Sequence, residues 1–160
     1  MEIGISSSCY YPQDTLLSLD KALAAGAPVA EVFLNTFREL EPDYLARLRA
    51  CAEGYGRRIL SVHPFTSALE PFLFFSEYET RFEDGLALYR RYFEACRLLG
   101  ASILVFHGNM RTKAISLQEY ARRLGRLVEE GEKYGVTLAQ ENVDRCQSGD
   151  VASIRALRQY

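Results

Sequence analysis

The sequence lacks the features of a membrane, secreted or disulfide-stabilised protein. No stretch approaches the roughly 20 apolar residues that a membrane span requires, and the first residues lack the basic start and long apolar run of a signal peptide. The cysteines Cys9, Cys51, Cys96 and Cys146 are scattered and include no C-x-x-C pair, so neither a disulfide framework nor a zinc knuckle is indicated. We therefore expect a cytoplasmic protein with free thiols and no membrane partner.

The sequence also has little excess charge of either sign. Its 19 basic and 21 acidic residues give a formal net charge of −2. This balance offers no global attraction to phosphate backbones and argues against a nucleic-acid partner, although it leaves room for a local basic patch. With 48% hydrophobic and 25% charged content over 160 residues, we expect one globular domain spanning residues 1–160.

Short apolar runs recur along the chain and are typical of buried parallel strands. They are Ile3–Ile5, Val29–Leu34, Ile59–Val62, Ile103–Phe106 and Val136–Ala139. Each gap between them is long enough for a crossover helix, and the gaps have helical periodicity. Glycines precede the later strands, Pro42 suits a first helical turn, and Ser116 with Glu119 forms a capping-box pattern. The pattern predicts a βα repeat.

A βα repeat allows two architectures, an open doubly wound sheet or a barrel. No G-x-G-x-x-G or G-x-x-x-x-G-K-[ST] motif follows any of the predicted strands. The sequence therefore lacks the motif that usually indicates the nucleotide-binding form of the open sheet. The periodicity alone does not decide between the two architectures.

Polar side chains concentrate where the predicted strands end, which is the edge that carries the site in both architectures. The only two histidines, His63 and His107, each directly follow an apolar strand, and Glu141 and Asn142 follow the fifth. Imidazole and carboxylate are ligands of zinc and manganese, and ligands on separate strands need no local motif. The equivalent placement favours a metal or substrate site over two histidines that merely hydrogen-bond at strand ends.

Two further polar residues belong to the second predicted strand. Glu31 lies within an apolar run, where an unpaired carboxylate would be expensive to bury. It either points into the site to position substrate or a histidine, or acts as a structural hydrogen-bond acceptor. Asn35 follows the same strand and is a candidate substrate-binding residue.

Two clusters favour structural roles. The apolar run Phe72–Phe75, in the long connection after the third strand, is expected to pack in the core, with a lid or a pocket for an apolar part of a ligand as the alternative. Arginines recur on the polar faces of two predicted helices, where a solvated face is the default interpretation. They are Arg90, Arg91, Arg97, Arg122, Arg123 and Arg126.

The strand segments together resemble the xylose isomerase-like TIM-barrel superfamily, which includes sugar-phosphate isomerases and epimerases and the endonuclease IV type of abasic-site nuclease. The resemblance rests on Ile-Gly-Ile-Ser, Val-Ala-Glu-Val-Phe-Leu, Ser-Val-His-Pro, Leu-Gly-Ala-Ser-Ile-Leu-Val-Phe-His-Gly and Leu-Ala-Gln-Glu-Asn, in this order and spacing. It implies an α/β fold of the (β/α)8 barrel kind.

The resemblance also implies roles for the site residues. Glu141 matches a metal ligand that, in the epimerases, is one of two carboxylates that move a proton beside a carbonyl. His63 and His107 match zinc ligands of the nuclease branch and substrate-contacting positions of the epimerase branch. The leading hypothesis is a sugar or sugar-phosphate isomerase/epimerase with Mn²⁺ or Zn²⁺, or alternatively Mg²⁺, in which Glu31, Asn35 and Asn142 also bind substrate.

A complete barrel of this kind has eight strands and about 250 residues. We therefore expect the chain to be an incomplete, N-terminal portion of a barrel, of about five βα units. Its second catalytic carboxylate and further metal ligands would be absent. Two alternatives remain, a zinc-dependent phosphodiesterase acting on abasic DNA, and an inactive half-barrel that acts as a binding or assembly module, with a homo-oligomer forming through its exposed surface.

Overall fold

The strands of the sheet follow one another in chain order. The computed structural model describes residues 2–160, in which five parallel strands form one sheet of order β1-β2-β3-β4-β5. They are β1 Ile5–Ser6, β2 Val29–Leu34, β3 Arg58–Pro64, β4 Ile103–Phe106 and β5 Thr137–Gln140. A doubly wound sheet reverses its strand order at a switch point, whereas a barrel does not. The predicted α/β barrel fold, carried to five βα units, is confirmed.

The helices form a single layer against this sheet. They are α1 Thr15–Ala24, α2 Pro42–Gly54, α3 Glu70–Phe74, α4 Glu79–Leu99, α5 Leu117–Glu132 and α6 Val151–Leu157. The longer ones contact each other in order, α1 with α2, α2 with α4, α4 with α5, and α5 with α6. Within residues 2–160, no helix is long and apolar enough to cross a membrane.

Alternation along the strands separates a covered face of the sheet from an open face. Leu34 and Phe106 are fully buried between the sheet and the helices. Their neighbours Phe33 and Val105 point to the other face and are only half-buried. As far as the structure describes the chain, β1 and β5 each pair on one side only. The core therefore lies on the helical side, and the open face carries part of the candidate site.

Strand bounds differ from the sequence-based expectation in β1, β3 and β5. β1 begins two residues later than expected, β5 lies one residue later, and β3 begins one residue earlier and extends to Pro64. The extension arises because β2 continues alongside it, with Phe33 opposite His63 and Leu34 opposite Pro64. His63 is therefore a strand residue, whereas His107 directly follows β4.

The solvated-face interpretation is wrong for Arg123. This side chain is buried, and its Nη1 donates hydrogen bonds to the carbonyl oxygens of Phe74 at 2.8 Å and Ser76 at 3.0 Å. Its Nε donates to the Glu119 carboxylate. The connection between β3 and α4 lies against α5, so Arg123 supplies the donors that this connection needs.

We expect Arg123→Ala to lower the free energy of unfolding by about 2–3 kcal/mol, because it leaves two backbone carbonyl groups without donors. Urea denaturation followed by circular dichroism measures the loss. Arg122→Ala is the matched control, since Arg122 binds the same Glu119 carboxylate from an exposed position, where screening makes ion pairs weak. Equal losses in the two variants would contradict the tethering role.

Candidate metal centre

Three predicted ligands meet at the carboxyl-terminal edge of the sheet. His63 is near the end of β3, His107 follows β4 and Glu141 follows β5. One atom from each lies within 4.8 Å of the others. His107 Nε2 is 2.8 Å from Glu141 Oε2, and His63 Nε2 is 3.0 Å from His107 Nε2 and 3.5 Å from Glu141 Oε2. The parallel register brings together residues separated by up to 78 positions in the sequence.

The hydrogen bond of His63 directs a lone pair toward this cluster. Its Nδ1 is 3.2 Å from the carbonyl oxygen of Pro64. A carbonyl oxygen can only accept, so Nδ1 carries the proton and Nε2 faces His107 and Glu141 as an electron-pair donor. The ring also stacks on Phe33, with centroids 4.5 Å apart. His63 is therefore held in the tautomer and orientation that a metal ligand needs.

The environment of His107 favours its neutral form. Burial lowers the pKa of His107, the neighbouring His63 lowers it further, and Glu141 partly opposes both effects. A neutral imidazole retains the lone pair that binds a metal. Its Nδ1 is buried and, among residues 2–160, has no hydrogen-bond partner, so this histidine lacks the orienting acceptor that His63 has.

Two nitrogen donors and one carboxylate oxygen fit zinc or manganese in chemical type. Three protein ligands are the number that catalytic zinc sites use while they leave a position for water or substrate. The residues present therefore fit a divalent metal, which His63, His107 and Glu141 would hold.

Glu31 and Asn142 border the same cluster. They line a cavity of about 350 Å³ together with His63 and Glu141. Glu31 Oε2 also accepts a hydrogen bond from Ser61 Oγ at 3.1 Å, so the carboxylate has a partner and still borders the cavity. Substrate binding by Glu31 and Asn142 stays a prediction.

Asn35 lies apart from this cluster. Its Nδ2 donates to Thr15 Oγ1 at 2.9 Å and to the carbonyl oxygen of Phe33 at 3.1 Å. The amide thus links β2 to the first helix, and the cavities at the metal centre are lined by other described residues. Asn35 lines neither of these cavities, so substrate binding by this residue stays a prediction.

A buried carboxylate that the sequence did not single out supports the centre. Glu70 Oε2 accepts the backbone N–H groups of His107 at 2.8 Å and Gly108 at 2.6 Å, and Oε1 accepts the Tyr89 hydroxyl. Burial raises the pKa of Glu70 to about 8, against the opposing effect of the hydrogen bonds from Tyr89, Gly108 and His107. Glu70 therefore fixes the backbone from which His107 projects.

Gln140 and Gly108 complete this support. Gln140 Nε2 donates to the carbonyl oxygens of His107 at 2.8 Å and Phe106 at 3.1 Å, and its Oε1 accepts the Tyr120 hydroxyl at 2.7 Å. Gly108 has a φ of 85°, and a Cβ there would lie 1.8 Å from Tyr120 Oη. Only glycine fits between these groups. The loop after β4 is therefore closely constrained.

We expect Glu70→Ala to lower the free energy of unfolding by about 2–4 kcal/mol, because two buried N–H groups and a tyrosine hydroxyl lose their acceptor. Glu77→Ala, at an exposed glutamate of the same connection, is the control and should change stability little. Chemical denaturation of both variants measures the difference. Wild-type stability in Glu70→Ala would mean that the loop is held by other contacts.

A parallel barrel-type sheet with a His–His–Glu cluster at its carboxyl edge defines an α/β-barrel protein with a candidate metal centre. Residues 19–160 match the family described as xylose isomerase-like TIM barrel. The chain belongs to this family, as its strand segments had indicated. No curated protein sequence matches it.

Solved structures share the fold. A D-tagatose 3-epimerase-like protein is 23% identical with a TM-score of 0.72, aligning 89% of this chain with 53% of that protein. D-psicose 3-epimerase from Clostridium cellulolyticum H10, solved with D-tagatose, is 18% identical with a TM-score of 0.77, over 98% of this chain and 60% of that one. The IolI protein with a bound zinc atom is 18% identical with a TM-score of 0.71, over 97% and 58%. The chain thus spans little more than half of these proteins.

Proposed function

We propose that this chain contributes a metal centre to a sugar or sugar-phosphate isomerase/epimerase. The observation that carries the proposal is the convergence of His63, His107 and Glu141 within 4.8 Å. The proposal draws support from the family and from the similarity to structures named as sugar epimerases and to one that holds zinc. The cytoplasmic location, and the assignment of residues 1–160 to the N-terminal portion of a longer barrel, stay predictions.

The proposed chemistry is proton transfer at a carbon beside a carbonyl group. A bound divalent ion would supply a Lewis acid for the oxygens of a keto sugar. Glu141 Oε2 faces the two histidines, while the side chain remains 47% exposed. This exposure leaves the carboxylate accessible to a substrate, from whose carbon it takes the proton.

The other site residues bind and orient the sugar in this proposal. Glu31 and Asn142 border the cavity beside Glu141, and their oxygen and amide groups suit sugar hydroxyl groups as hydrogen-bond partners. His63 and His107 hold the metal. Asn35 is assigned no contact in this scheme because its amide is bound to Thr15 and Phe33.

Metal content is the first test. We expect the purified chain to bind close to one Zn²⁺ or Mn²⁺ ion, as three converging donors allow, and Glu141→Gln to lose most of it. Elemental mass spectrometry measures the ratio, and metal-dependent thermal stabilisation gives a second readout. Glu129→Gln, at an exposed glutamate of α5, should retain the metal. Metal-free wild-type protein after dialysis against either ion would rule out the centre.

Proton exchange tests the carboxylate separately from a complete reaction. A single base suffices to exchange the hydrogen beside a carbonyl with solvent, whereas epimerisation requires return of a proton on the other face. With metal present, we expect D-tagatose or D-fructose to gain one deuterium in D₂O, and Glu141→Gln to reduce the rate by about 100-fold or more. Mass spectrometry of the quenched sugar measures the gain. Wild-type exchange rates in Glu141→Gln would overturn the assignment of the base.

A second candidate function is assembly through the open face of the sheet. This face carries half-buried apolar side chains, including Phe33, Ile103 and Val105. A second copy that covers it would bury this area. We expect a dimer by size-exclusion chromatography with light scattering, and a shift toward monomer in Val105→Asp. A monomer at all concentrations would exclude this assembly.

The abasic-site nuclease hypothesis also stays a prediction, which salt-dependent binding to abasic duplex DNA would test.

A further inference from the structure

A second cavity, here named the side pocket, lies beside the metal centre. It has a volume of about 730 Å³, within the range of small-molecule sites. It lies between the connection from β3 to α4 and the loops that follow β4 and β5. Its lining includes Phe72, Phe75, Met110, Arg81, Lys113 and Arg145.

The phenylalanines of the apolar run Phe72–Phe75 lie partly in the core and partly at this pocket. Phe74 is fully buried, and Phe75 is 7% exposed and lies against Tyr120, with ring centroids 4.6 Å apart. Phe72 is 54% exposed and lines the pocket. The expectation of core packing is met by Phe74 and Phe75, whereas the ring of Phe72 offers an apolar surface to a ligand.

The rim of the side pocket is positively charged. Arg81, Lys113 and Arg145 line it, and within residues 2–160 none of the three lies within 4.0 Å of a carboxylate oxygen in an ion pair. Lys113 Nζ lies 5.6 Å from the centroid of the Phe72 ring. Glu77 is the one acidic residue of the lining. The balance of charge therefore favours an anion.

The wall that carries two of these cations is preformed. Asn109 is 2% exposed, and its Nδ2 donates to the Lys113 carbonyl oxygen at 2.8 Å and to Gln147 Oε1 at 3.1 Å. The backbone N–H of Arg111 donates to the Arg145 carbonyl oxygen at 2.9 Å. These bonds join the loops after β4 and β5, so that the backbone positions from which Lys113 and Arg145 project are fixed before a ligand arrives.

We propose that the side pocket binds a small organic anion with a flat apolar body, its ring lying against Phe72 and Phe75 and its carboxylate or phosphate facing Arg81, Lys113 and Arg145. Arg145 and Ala68 also line the cavity of about 380 Å³ that contains His63, His107 and Glu141. The occupant therefore lies next to the metal centre. Its binding depends on apolar contact and charge, and needs no metal.

Binding of phenyl phosphate to the metal-free protein tests this inference. We expect a dissociation constant on the order of millimolar, typical of a small fragment, with amide chemical shifts that change mainly over residues 71–77 and 109–115. Benzoate tests a carboxylate as the anionic group, benzyl alcohol removes the charge, and inorganic phosphate removes the ring. We expect benzoate to bind and the other two to bind about 10-fold or more weakly, since both parts of the ligand contribute.

Variants locate the site. Lys113→Gln and Phe72→Ala should each weaken phenyl phosphate binding by about 3- to 10-fold, whereas Arg57→Gln, at an exposed arginine outside the pocket, should leave it unchanged. Equal binding of benzyl alcohol, an equal loss in Arg57→Gln, or shifts confined to other residues would overturn the proposal. Glu141→Gln should bind phenyl phosphate as the wild type does. A failed metal centre and a failed side pocket therefore give different results.

Discussion

The register of the parallel strands is the constraint on which the candidate site depends. Phe106 lies opposite Gln140, and the ladder continues one residue further, where the Glu141 N–H donates to the Phe106 carbonyl oxygen at 2.8 Å. This bond places Glu141 beside His107. A shift of one residue would turn every side chain of β5 to the opposite face and separate the carboxylate from both histidines. The geometry of the candidate metal centre therefore depends on backbone hydrogen bonds.

Backbone groups beyond a strand end have no ladder partner, and this chain satisfies them with buried side chains. The N–H groups of His107 and Gly108 bind Glu70, and the carbonyl oxygen of His107 binds Gln140. Glu70 illustrates the balance of opposing effects, since burial raises its pKa while the hydrogen bonds favour the charged form. The hydrogen bonds that Glu70 accepts hold the loop that carries His107 in place.

The sequence predicted the elements of the site better than the contacts that support it. His63, His107 and Glu141 could be found because short apolar strands and their ends are local features, and parallel strands bring their ends together. The partners of Asn35 and Arg123 could not be found in this way. Asn35 binds Thr15 and Arg123 binds the Phe74 carbonyl, contacts that span 20 and 49 residues. Which partners these side chains bind depends on how the helices and connections pack.

The net charge of the chain did not predict the local excess of positive charge at the side pocket, because that excess depends on which charged side chains pack together. A formal charge of −2 offers no general attraction to anions. Many of the acidic side chains, however, form ion pairs with arginines on the helix surfaces. Arg126, for example, binds Glu79 and Glu83 of the neighbouring helix. Lys113 and Arg145 lie on the loops that follow β4 and β5, form no such ion pair within residues 2–160, and line the same cavity. Because a binding site responds to the potential within its own walls, the positions of the unpaired cations decide which ligand this cavity suits.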